Sequence, residues 1–109
     1  MQTTSSEFQT TARTIKKQLG VMGLGVVGAH QIQFAKGQGF GALTFKARLH
    51  YTGQSRARIM RVFVNLTAMD TYDIDVITPE NVEVQFAHDV YAAQLTALMY
   101  RLDSEGVTK

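Results

Sequence analysis

Two glycine runs are the first stretches whose residue types could do chemistry. Gly23-Leu24-Gly25-Val26-Val27-Gly28 fits G-x-G-x-x-G, the pattern with which dinucleotide-binding folds bring backbone amides against a pyrophosphate. That chemistry needs a strand before the glycines, a helix after them, and an acidic residue about 20 positions on. Here a helical pattern precedes the run and an alternating pattern follows it. The residue at the acidic position is Arg48. The run therefore reads as a helix-to-strand turn, where glycine permits a positive φ. Lys36-Gly37-Gln38-Gly39-Phe40-Gly41 could grip a phosphate through Lys36 and free amides, with Phe40 to stack. It lacks the G-K-[S/T] ending of a P-loop and leads into a strand pattern, so it reads as a hairpin loop.

The titratable side chains form no recognisable catalytic or metal-binding set. His30, His50 and His88 are not in HxxxH spacing, and a metal site would need ligands converging from separate elements. Cysteine is absent, which excludes disulfides, thiolate catalysis and cysteine-based zinc sites. Asp73 and Asp75 are two apart and share one strand face. Paired carboxylates can do acid–base work, but on an open sheet they are expected to be solvated or paired with arginine. No Ser-His-Asp set can be chosen from spacing. The expectation is a non-catalytic binding module rather than an enzyme, with no cofactor and no metal.

Charge is distributed unevenly along the 109 residues. Residues 1–62 hold nine of the eleven Lys and Arg and one of the nine Asp and Glu; residues 63–109 hold two against eight. Such a basic half can mark a nucleic-acid face. The candidate contacts are Lys36, Lys46, Arg48, Arg56, Arg58 and Arg61, with Phe63 as a stacking ring among them. Two arrangements compete. Asp73 and Asp75 neutralise Arg61 across the next strand, or the strip stays net positive and meets an anion. The alternative function is protein interaction, as an adaptor, an inhibitor or a homodimer joined through an exposed strand edge.

These residues need elements to position them. Phe8, Ala12, Ile15, Leu19 and Met22 recur at steps of four and three, predicting a helix over about 7–20. Ser6 and Gln9 resemble a capping box at its start. "ALTFKARLHY" alternates, with Leu43, Phe45, Ala47 and Leu49 on one face and Thr44, Lys46 and Arg48 on the other. "TGQS" is a turn, and "RARIMRVFVNLT" alternates again. A hairpin tip at Gly53-Gln54 sets Phe45 opposite Val62, Leu43 opposite Val64 and Lys46 opposite Arg61. Both apolar sets then fall on one side. Tyr72, Ile74 and Val76 give a further strand, and "VEVQFA" and "AHQIQFA" two more short ones. Asp89 is expected to cap a last helix with Tyr91, Leu95, Leu98 and Leu102 as its stripe.

The fold class is α+β. It is one domain over 1–109, an antiparallel meander of three to five strands with an N-terminal and a C-terminal helix packed on one face. The expected core is Phe8, Ile15, Leu19, Leu43, Phe45, Leu49, Val62, Val64, Leu66, Ile74, Val76, Leu95, Leu98 and Leu102. Residues 1–5 are expected to be disordered and 105–109 to fray. The uncharged "AHQIQFA" is the expected exposed edge. No run of about 18 apolar residues and no basic-then-apolar leader is present, so a cytoplasmic protein without a membrane partner is expected. The Asn65-Leu66-Thr67 sequon is then fortuitous. The helix–strands–helix order resembles that of double-stranded-RNA-binding domains. The stretch matching the lysine cluster which that family places at its last helix is "AHDVYAAQ", which is acidic.

Overall fold

The computed structural model describes residues 5–108. Helix α1 spans Ser5–Val26, and five strands follow: β1 His30–Ala35, β2 Ala42–Leu49, β3 Arg58–Leu66, β4 Tyr72–Ile77 and β5 Glu83–Val90. A short 3-10 turn at Ala92–Gln94 leads into α2, Leu95–Glu105. The strands form one antiparallel sheet in the order β1-β2-β3-β4-β5. Each strand pairs with its sequence neighbour, as the alternating runs and short turns require. Between β2 and β3 the register is Phe45 with Val62, Leu43 with Val64 and Lys46 with Arg61, as the hairpin argument predicts.

Alternation puts one side chain in two against the helices. Ala12, Ile15 and Leu19 from α1 and Leu95, Leu98, Met99 and Leu102 from α2 join one buried cluster. Leu43, Phe45, Leu49, Met60, Val62, Val64, Tyr72, Ile74 and Val76 are among the sheet residues that belong to it. Both helices therefore cover one face. The polar parity of the strands forms the other, which neither helix covers. Phe8 and Leu66, expected in the core, are only half-buried. Phe8 lies near the start of α1, and Leu66 ends β3 and packs at the margin of the buried cluster.

Helix α1 runs beyond the expected end at Gly20. Gly20 takes a non-helical conformation (φ 71°, ψ 172°) and kinks the helix, which then resumes. The kink rotates the apolar stripe, so Met22 is exposed while Gly23 and Val27 turn inward. The carbonyl of Leu19 accepts a bond from Thr96 Oγ1 at 2.9 Å. A Cβ on Gly23 would lie 3.5 Å from Thr96 Cα, an ordinary van der Waals distance, so this position faces α2. The dinucleotide-like run is thus the resumed helix plus a turn at Gly28, where φ is 61°. The Ser6 side chain of the expected capping box lies outside the described residues, as do residues 1–4 and 109.

Asp89 does not cap α2. It sits within β5 at positive φ (52°) and accepts a bond from Thr71 Oγ1 at 3.1 Å. A 3-10 turn leads into the last helix instead, capped at its start by Tyr91, whose amide donates to Gln94 Oε1 at 3.0 Å. Tyr91 lies outside the helix and is exposed. The strand was expected to end sooner because Asp89, by residue type, resembles a helix cap. The segment expected to fray carries a docked residue. Val107 is buried and donates its amide to the His50 carbonyl at 2.8 Å, and its own carbonyl accepts from Thr52 at 2.9 Å.

Candidate interaction surface on the open sheet face

The register lines up the open face in rows across the strands. Lys46, Arg61, Ile77 and Glu83 form one row, and Thr44, Phe63, Asp75 and Gln85 the next. Beyond these, Asn65 lies beside Asp73 at one end and Arg48 beside Ile59 at the other. The face therefore has two signs: cations on β2 and β3, carboxylates on β4 and β5. Phe63 and Ile77, both half-buried, stand between them.

Four of the seven expected contact residues come together here: Lys46, Arg48, Arg61 and Phe63. Arg58 has the opposite parity. It pairs with Glu80 at 3.5 Å and lies over the Tyr51 ring, 5.9 Å from its centroid. Tyr51 Oη in turn hydrogen-bonds Glu80, and that bond comes first among the effects, burial next, that push its phenol above the ordinary value. Arg56 lies in the exposed segment between β2 and β3. Lys36 is in the β1–β2 loop at the far end of the sheet from Arg48. The seven do not form one strip.

Lys46 and Arg61 face each other as like charges, an unfavourable pairing unless something compensates. Arg61 donates from Nη1 to Thr44 Oγ1 at 3.1 Å. Neither Lys46 nor Arg61 makes an ion pair among the described residues, where the bridges are Arg58–Glu80 and Arg101–Glu105. Asp75 instead accepts from Asn65 Nδ2 at 2.8 Å. Asp73 accepts from Gln38 Nε2 at 3.3 Å and from the Asp89 amide at 3.2 Å. The salt-bridge ladder from Arg61 to Asp73 and Asp75 is absent.

Asp75 is 6% exposed, although it lies on the face that no helix covers. The β1–β2 loop explains part of this. A Cβ on Gly37 would lie 2.6 Å from Asn65 Oδ1, so the loop backbone rests on Asn65. Gln38 reaches across to Asp73. These residues wall one end of a cavity of about 300 Å³, with Phe63, Asn65, Asp75, Ile77 and Glu83 around the rest. Burial pushes the Asp75 carboxyl above the ordinary carboxylate range, and the neighbouring Glu83 and Asp73 push it further. The bonds from Asn65 and Gln85 act the other way.

Sequence reasoning missed Gln38, Asn65, Ile77 and Glu83 as members of this surface. Asn65 carried a signal, since it continues the outward parity of Arg61 and Phe63. Glu83 carried none, because the β4–β5 register depends on a turn whose length the alternation does not set. Chemically the surface offers three cations (Lys46, Arg48 and Arg61), three carboxylates (Asp73, Asp75 and Glu83), the amides of Gln38, Asn65 and Gln85, and the Phe63 ring, a set suited to recognition. Among the described residues no group of three His, Asp or Glu could hold a metal, and no helix is long and apolar enough to cross a membrane. No family model, no curated protein and no solved structure matches this chain.

Proposed function

We propose that the protein is a small binding module that meets a protein partner through the open face of its sheet. One observation carries this reading: both signs of charge stand on that face, uncompensated across the strands, around Phe63 and Ile77. Among the described residues Lys46 and Arg61 have no carboxylate bonded to them, while burial, and then Glu83 and Asp73, push the Asp75 carboxyl up. Protein interfaces match potentials of opposite sign around an apolar centre. A polyphosphate spread across the same face would meet the carboxylates of β4 and β5.

A second reading keeps the nucleic acid. It is favoured by the like-charged Lys46–Arg61 pair beside Phe63, which could take a backbone phosphate and a stacked base near the β2–β3 hairpin. A photoreactive phenylalanine analogue at position 63, and at Tyr100 on the outside of α2 as control, separates the readings. Irradiation of purified protein and of extract from the producing cell should give protein adducts from position 63 and not from position 100. Nucleic-acid adducts, with an affinity falling steeply in salt, would favour the second reading. Adducts from both positions alike, or from neither, would remove the surface altogether.

A further inference from the structure

Resting on that reading, we infer that the partner is a second copy of this chain, joined face to face through the open sheets about a two-fold axis. The cations and the carboxylates occupy opposite halves of one surface. Lys46, Arg48 and Arg61 lie on β2 and β3, and Asp73, Asp75 and Glu83 on β4 and β5. A two-fold interface brings one patch of each copy against the matching patch of the other, in both directions at once. An axis lying between the two sheets, over the β3–β4 boundary, carries the basic strands of one copy over the acidic strands of the other. The same step relieves two conflicts. The Lys46–Arg61 repulsion gains carboxylates, and the carboxyl cluster at Asp75 gains cations. Phe63 and Ile77 lie near the axis and supply apolar contact.

The strand edges are poorer routes to pairing. β1, the edge expected to pair, has a register shift between His30 and Gln33 with Gln31 at positive φ (50°). β5 has shifts in its pairing with β4 and Asp89 at positive φ. Irregular edges of this kind resist strand addition. The face offers an area of useful size. Five strands about 4.8 Å apart and about six residues long present roughly 500 Å² in plan per copy. Two such faces reach roughly 1,000 Å² in total, the lower bound for a specific interface. The dimer is therefore weak and reversible, and its charge pairs weaken as the Debye length shrinks from about 10 Å at 0.1 M salt to about 3 Å at 1 M.

Charge exchange between copies tests this directly. Sedimentation equilibrium of the wild-type chain at low salt should approach twice the 12.1 kDa monomer mass as concentration rises, and return to one-fold in 1 M salt. K46E/R61E and E83K/Q85K, each shown to be folded by circular dichroism, should both be monomeric. An equimolar mixture of the two should recover the doubled mass, because each reversed patch then faces an opposite one. A wild-type chain that stays at 12.1 kDa at millimolar concentration and low salt overturns the self-partner. So does a mixture that stays monomeric. If position 63 then still crosslinks to a different protein, the open face remains the binding surface with another occupant. If it crosslinks to nothing, both inferences fall.

Discussion

Asp75 is a carboxylate held on a sheet face among two other acids, and its environment has a thermodynamic signature. Its carboxyl titrates higher in the folded chain than in the unfolded one, because burial first and then Glu83 and Asp73 disfavour the charge. Between the two values the folded state keeps a proton that the unfolded state has lost. Stability therefore falls as pH rises through that window, from about pH 4 upward. The penalty is absent below the unfolded value and complete above the folded one. Asp75→Asn keeps an acceptor for Asn65 and removes the charge. Urea melts from pH 4 to 7 should show the variant more stable than wild type at pH 7 and the downward slope flattened. A variant with the wild-type slope would place that titration elsewhere. Gly37 makes a second residue-scale case. Its φ is 61°, and a Cβ would come within 2.6 Å of Asn65 Oδ1 and 2.8 Å of the Ala42 Cβ. Gly37→Ala should cost about 1–3 kcal/mol and lift the loop from Asn65, which a urea melt and the Asn65 side-chain amide resonances would report.

At the scale of elements, local alternation placed the central hairpin correctly because a slip of one residue would have turned Phe45 and Val62 outward together. The same pattern puts Lys46, Arg61 and Phe63 on one face. It misplaced what depends on distant partners. Met22 fits the α1 stripe by spacing, yet the Gly20 kink points it to solvent. Asp89 looks like a helix cap by residue type, yet its side chain serves Thr71 and its backbone lies in the β4–β5 register shift, its amide donating to Asp73 Oδ1. Deciding between ion pairs from Arg61 to the β4 acids and a strip left net positive required knowing that Asn65 lies close enough to take Asp75. Parity shows which residues share a face, but side-chain reach decides which of them bond. The kink can be tested at this scale. Gly20→Ala meets no neighbour within 4 Å, but its φ of 71° is strained for a residue with a Cβ. With ψ at 172° this is a region open essentially to glycine alone, and the substitution should cost about 1–3 kcal/mol. It should also weaken the Thr96 bond to the Leu19 carbonyl, visible as faster hydrogen exchange near the α1–α2 contact. Unchanged stability and exchange would mean that the kink does not depend on glycine.

For the whole molecule, the order of the strands has a kinetic consequence. Each strand lies beside the strand that precedes it in the chain, so the sheet can be assembled by closing one short loop after another. The two helices meet across most of the chain length, and Val107 meets Tyr51 across about half of it. Loop-closure entropy penalises those late contacts most, and folding rates fall as such separations grow. The barrier should therefore be crossed with the β2–β3 hairpin formed and the helix pair still undocked. Leu43→Ala and Leu19→Ala remove equally buried side chains from these two regions, and each should cost about 2–5 kcal/mol. In stopped-flow chevrons the first should mainly slow refolding, while the second should mainly speed unfolding. The opposite assignment would mean that the helices dock first and template the sheet. If the hairpin does lead, a ribosome-bound chain could begin to fold once β3 has emerged, well before α2 is made.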